Sequence, residues 1–231
     1  MQIRKSEDRG YFDFGWLQTH HSFSFSEYHD PQFMGFSALR VLNEDYVAQG
    51  QGFAPHSHRD MEIVTYILEG ALSHKDSMGN GSTIVPGDVQ YMSAGTGVTH
   101  SEFNHSQNDT VHLTQIWILP KQSGFKPTYN QKNFPLETKL NQLKLVVSGD
   151  GRNDSIEIRQ DVDLYASVLE KDQNLPTLLR PGRKFWLQLL RGSLAIDSHS
   201  LSAGDALYGE TTELKLLKST DRSEFLLFDL P

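Results

Sequence analysis

The chain has 231 residues, 37% of them hydrophobic, which is enough for one large core or two modest ones. Its 29 acidic and 21 basic residues give a formal charge of −8, and no Lys/Arg run exceeds two, so direct nucleic-acid binding is disfavoured. The lack of cysteine excludes disulfides, thiolate metal sites and cysteine nucleophiles.

Met1 to Arg9 contain no apolar signal core, and no later apolar stretch approaches membrane-spanning length. The expectation is a soluble cytoplasmic protein without membrane contact. Downstream, the apolar runs are short and rich in β-branched and aromatic residues: Met61–Leu68, Val111–Leu119, Leu143–Val147, Phe185–Leu190 and Phe225–Leu230. Gly, Asn, Asp and Pro punctuate them, and long helical periodicity is scarce, so the chain is predicted to be all-β. Lys121–Pro135 reads as a polar connection with weak regular patterning, and Gly151-Arg152-Asn153-Asp154 as a surface turn.

The chemistry concentrates in two short clusters. Gly50-Gln51-Gly52-Phe53-Ala54-Pro55-His56-Ser57-His58 places His56 and His58 at i and i+2, and Thr99-His100-Ser101-Glu102 repeats that spacing. On a β-strand both members of each pair share a face. Two such strands packed opposite each other would converge three imidazoles and one carboxylate. Either pair alone could be ordinary surface residues; two pairs on strand spacing favour a metal site. The N/O donors suit Fe(II), Mn, Ni, Cu or Zn, and four protein ligands leave coordination open. One divalent ion per chain is expected, Fe(II) first, held by His56, His58, His100 and Glu102.

The other histidines give weaker signals. His21 either lines the pocket or packs as a hydrogen-bonded histidine, and His112 is read as structural. His20, His29, His74, His105 and His199 are expected at the surface. Phe23, Phe25, Phe33, Phe36 and Phe53 are core candidates, some of which could wall a cavity for an aromatic ligand.

An internal echo points to duplication. Ile67-Leu68-Glu69-Gly70-Ala71-Leu72 returns as Leu189-Leu190-Arg191-Gly192-Ser193-Leu194, and Val85-Pro86-Gly87-Asp88-Val89-Gln90-Tyr91 as Ser202-Ala203-Gly204-Asp205-Ala206-Leu207-Tyr208. Two echoes in the same order suggest two barrels, divided near residues 134/135. A shift of 122 residues carries the first ligand pair onto Leu178 and Arg180, and a shift of 117 carries the second onto Leu217 and Ser219. The second barrel, 135–231, should therefore lack a metal, and 1–134 should hold it.

Gly50, His56-Ser57-His58, Glu62 and Gly70, followed by Gly87 to Gly97, His100 and Asn104, resemble the two cupin motifs. More narrowly, the pirin family is matched by Arg9-Gly10, Gly15-Trp16-Leu17, His21-Ser22-Phe23-Ser24-Phe25, Asp30-Pro31 and Met34-Gly35-Phe36. The match continues through Leu39-Arg40-Val41-Leu42-Asn43, Asp60-Met61-Glu62-Ile63 and Met92-Ser93-Ala94-Gly95-Thr96-Gly97. The resemblance implies a bicupin of two antiparallel barrels whose N-terminal barrel binds metal through His56, His58, His100 and Glu102. It also implies quercetin 2,3-dioxygenase activity on a small planar aromatic substrate with dioxygen. Glu102 would then serve as ligand first and as base toward the substrate hydroxyl second. The alternative is a metal-containing regulatory protein that binds a transcription factor or other protein partner.

Two positions stand apart. The family's His-Pro-His reads His56-Ser57-His58 here, and serine should loosen that segment. Glu62 matches the ligand of ordinary cupins, but Glu102 is preferred because its spacing from His100 mirrors His56 and His58, leaving Glu62 as a neighbour that could orient an imidazole.

Overall fold

The computed structural model describes residues 1–177 and 179–231, so Leu178 lies outside the described residues. Antiparallel strands dominate, joined by turns and four short 3-10 segments. No helix among the described residues is long and apolar enough to cross a membrane. The chain is an all-β bicupin built of two compact units.

The first unit comprises Gly10–Asn133 and Ile158–Gln160. Its larger sheet runs, in spatial order, Thr128–Asn133, Asp88–Ser93, Glu62–Glu69, Val111–Ile118, Leu39–Val47, Leu17–His21 and Gly10–Asp13. Its smaller sheet runs Gly52–His58, Val98–Phe103, Leu72–Asp76 and Gly81–Ile84. The second unit, Met1–Arg9, Phe134–Glu157 and Asp161–Pro231, likewise has one seven-stranded and one four-stranded sheet. Two segments cross the boundary drawn at 134/135: Gln2–Arg4 pairs with Ala206–Glu210 in the second unit, and Ile158–Gln160 belongs to the first.

Sequence pattern explains the placement of strands. Glu62–Glu69 is buried at nearly every position because it is central in its sheet, with both faces covered. Val98–Phe103 alternates buried with more exposed positions, as a half-covered strand should. The polar connection 121–135 contains a strand that its composition concealed. Tyr129, Gln131 and Asn133, all on one face of Thr128–Asn133, bond to Gln90 and Asp88 side chains on the neighbouring strand.

The echoed glycines do conformational work. Gly70 and Gly192 both adopt left-handed backbone, φ +76° and +79°, and a Cβ there would meet Thr110 O at 2.8 Å or Arg222 O at 2.1 Å. Only glycine fits that turn without strain.

Matching strands differ most at one layer of the interior. In the first unit, Ile67–Leu113, Thr65–Gln115 and Ile63–Trp117 pair across adjacent strands. The polar pair separates two apolar clusters, one around Ile67, Leu72 and Leu113, the other around Ile63, Met92 and Val98. In the second unit, Leu187 faces Leu227 at the corresponding place, within one continuous cluster that includes Phe185, Leu189 and Phe225. Leu217 lies in that same cluster, and Ser219 is fully buried. Leucine thus fills the layer that the first unit keeps polar.

Candidate metal centre

Gly52–His58 pairs antiparallel with Val98–Phe103, setting His58 opposite Val98, Ser57 opposite Thr99 and His56 opposite His100. The two ligand pairs therefore sit on hydrogen-bonded neighbours of a single sheet, a correction to the expectation of opposed strands. The i, i+2 spacing aligns side chains on one face in either arrangement, so it could not distinguish them. A bulge between His100 and Glu102 then puts Glu102 opposite Phe53. On the other edge of Val98–Phe103, Glu102 faces His74 and His100 faces Asp76.

His58 Nε2 lies 3.0 Å from His100 Nε2, and the His56 and His100 ring centroids are 4.4 Å apart. The potential ligand atoms of His56, His58 and His100 all fall within 4.8 Å of one another, as do those of His74, His100 and Glu102. The cluster is thus two triads sharing His100. His56 Nδ1 donates to Ala54 O at 2.8 Å, which commits its Nε2 lone pair to the site.

Burial, with His56 nearby, pushes His58 down to about 4. Burial and the neighbouring His56, His58 and His74 push His100 down to about 2. Both imidazoles are neutral at pH 7, as ligation requires. Burial raises Glu102 to about 7; a hydrogen bond from Gln115 opposes the rise and the Asp45 charge adds to it. Converging neutral imidazoles beside a dehydrated carboxylate fit a divalent cation, which would replace the water these groups have lost.

A cavity of about 590 Å³ reaches His56, His58 and Glu102. Trp16, Phe25, Phe53 and Trp117 supply aromatic walls, while Thr19, His21, Asn43, Asp45 and Gln115 add polar groups. Trp117 stands edge-on to His58 and to Phe25, with centroids 4.8 and 5.2 Å apart. His21 both lines the cavity and packs edge-on against Phe25. Thr19 Oγ1 and Asn43 Oδ1 are buried beside the cavity without a hydrogen-bond partner in the protein.

Several residues differ from expectation. His74 is buried, not at the surface, because its strand lies between two others in the small sheet. The Ser57 hydroxyl meets Thr99 Oγ1 at 2.8 Å across the strand pair, a contact that proline could not make. Glu62 lies one residue out of phase with Ile63 and Thr65, which face Trp117 and Gln115, so it points to the opposite side of the sheet. There it is fully buried and accepts from Tyr91 Oη, Ser93 Oγ at 2.7 Å and the Arg159 backbone N–H at 3.2 Å. It belongs to neither triad. His112 is structural, bonded to Glu44 at 2.9 Å and stacked on Tyr46. Gln115 and Trp117 were missed as site residues, although their alternation with Leu113 along one strand carried the signal.

The pirin family model matches residues 2–118, and that of the quercetinase C-terminal cupin domain matches 145–230. The chain belongs to the pirin family. It is 44% identical over 229 residues to quercetin 2,3-dioxygenase of Escherichia coli (strain K12), covering 99% of this chain and 98% of that one. It is 36% identical over 228 residues to a pirin-like protein of Caulobacter vibrioides, covering 98% of each. The bacterial pirin YhhW of Escherichia coli, solved in complex with nickel(II), matches with a TM-score of 0.93 at 43% identity, over 100% of this chain and 98% of that one. Each of these matches spans 98% or more of the chain and so takes in both units.

Proposed function

We propose that this pirin is a metal-dependent dioxygenase that cleaves flavonols such as quercetin, with one divalent ion held by His56, His58, His100 and Glu102. The observation that carries the reading is the aromatic-walled cavity of about 590 Å³ that ends on the His/Glu cluster. A planar polyphenol has the size and shape for such a space. The similarity to a quercetin 2,3-dioxygenase and to a nickel-binding pirin supports it. Fe(II) and Ni(II) both suit the donors.

The ion, when bound, supplies Lewis acidity toward an enolic oxygen. The protein's own groups do the rest. Glu102, a carboxylate that lines the cavity, is placed to accept the 3-hydroxyl proton. Gln115 steadies that carboxylate, donating to Oε2 at 3.2 Å. Trp16, Phe25, Phe53 and Trp117 hold the ring system and exclude water.

The test is anaerobic addition of quercetin to the metal-loaded protein, followed by air. Binding should perturb the flavonol absorption band, and air should bleach it with release of carbon monoxide. Metal-free protein and His58→Ala should do neither. Equal bleaching in those controls would be solution autoxidation and would remove the enzyme reading. Perturbation without oxygen-dependent bleaching would favour a regulatory role with a protein partner.

A further inference from the structure

We propose that His74 is a positioning residue that accepts the Nδ1 proton of His100, is itself oriented by Asp76, and so commits the His100 Nε2 lone pair to the metal site. This inference rests on the metal reading above.

The argument starts at the hairpin after Leu72–Asp76. Asp76 Oδ1 accepts from the backbone N–H groups of Met78 at 2.9 Å and Asn80 at 3.0 Å, and Oδ2 accepts from Asn80 Nδ2 at 2.8 Å. Asp76 Oδ2 also lies 3.4 Å from His74 Nε2, and both side chains are fully buried. Burial pushes the Asp76 pKa up, but the bonds from Asn80, His74 and Met78 outweigh it and hold the carboxyl below its usual range. An ionised carboxylate can only accept, so His74 Nε2 carries the proton.

A His74 imidazole that carries its proton on Nε2, toward Asp76, has its lone pair on Nδ1. His100 Nδ1 lies 3.5 Å from that atom. Two lone pairs cannot bond each other, so His100 Nδ1 must be the donor. A neutral imidazole protonated on Nδ1 has its lone pair on Nε2, the atom that faces His58. Donation therefore runs from His100 to His74 to Asp76. At 3.4 and 3.5 Å these are long bonds, so the relay orients His100 and does not clamp it. The His74 ring is kept in place by stacking on Tyr129, with centroids 5.1 Å apart.

Because His74 also groups with His100 and Glu102 as a possible ligand, the experiment must separate orienting from ligating. Full-length protein labelled with ¹⁵N-histidine is titrated with zinc(II), with affinity read by chelator competition and tautomers by ¹⁵N–¹H spectra. In the wild type, His100 should be protonated on Nδ1 before and after zinc, and His74 should show no ligation shift. His74→Phe keeps an aromatic ring against Tyr129 but removes the acceptor. It should weaken zinc binding about 10- to 100-fold and release His100 into mixed tautomers. His74→Asn, whose amide oxygen stands near the lost Nδ1, should recover most of the affinity. The proposal falls if His74→Phe binds within twofold of wild type with His100 unchanged, or if zinc shifts His74 Nδ1 as a ligand. Should His74→Phe not fold, the wild-type spectra decide: protonation of His100 on Nε2 overturns the relay. Failure of the wild type to bind zinc would instead bring down the metal reading itself.

Discussion

The side-chain amide of Gln115 donates to both carboxylate oxygens of Glu102, at 3.2 and 3.5 Å. Its orientation is fixed from behind, because Thr65 Oγ1 donates to Gln115 Oε1 at 2.9 Å. Gln115→Leu, which copies the Leu227 of the second unit, removes the one hydrogen bond that opposes the rise in the Glu102 pKa. The pH midpoint of metal binding should then move upward from about 7, and binding at pH 7 should weaken several-fold. Zinc titrations across a pH series measure it, and an unmoved midpoint would show that Gln115 does not tune the carboxylate.

The same carboxylate sets the pH profile of the whole site. His58 and His100 titrate near 4 and 2, so they give up no proton to a metal above about pH 5. Glu102 must release one below about 7. Affinity should be flat above about pH 8 and fall roughly tenfold per unit below about pH 6. A flat profile down to pH 5 would contradict this.

Stability of the metal-free protein follows with opposite signs for the two kinds of group. The raised Glu102 contributes stability that is present below its ordinary 4.5 and lost as pH rises through about 7. The lowered His58 and His100 contribute stability present above 6.5 and lost as pH falls through about 4 and 2. Metal-free Glu102→Gln should therefore outlast wild type in denaturant at pH 8.5, by at most about 3 kcal/mol, and lose that advantage at pH 5. Equal stability at both values would show that the carboxyl is better solvated than its burial suggests.

Elemental analysis should find one divalent ion per chain in protein purified without chelators. His56→Ala and His100→Ala should lose most of it while retaining the β-sheet circular dichroism of the wild type. Two ions per chain at full occupancy would contradict a single ion held where the two triads meet at His100.

Glu102 and Glu62 make a sharper pair. Glu102→Gln should weaken metal binding and abolish turnover, since it removes both charge and base. Glu62→Gln should leave metal content unchanged and instead lower the melting temperature, because Tyr91, Ser93 and the Arg159 N–H bond to two acceptor oxygens of Glu62 and glutamine offers only one. That loss is worth about 1–3 kcal/mol. The reverse ranking in metal content would make Glu62 the ligand.

Much of this was legible in the sequence because it depends on local spacing. The i, i+2 pairs at His56/His58 and His100/Glu102 announce a shared face, and Gly70 and Gly192 announce the same left-handed turn in both units. Relations between strands were harder to read. Whether two ligand strands face each other or lie side by side is decided by sheet order, which parity alone does not encode. His74 illustrates the gap: His74-x-Asp76 has the same strand spacing as the ligand pairs, but its burial depends on Val98–Phe103 pairing along one edge and Gly81–Ile84 along the other. Glu62 shows the converse, a motif position whose side chain a single step of phase turns away from the cavity.

Gln2–Arg4 pairs with Ala206–Glu210, and the Met1 ammonium lies 3.0 Å from Glu213. A ribosome releases these partners some two hundred residues apart. Gly10–Asn133, by contrast, emerges as one continuous stretch carrying all of the metal-site histidines and Glu102. During synthesis the metal-site unit can close around its core while the opening strand still waits for its partner. The unit whose first residues emerge earliest is thus the one whose sheet needs residues from near the end of the chain.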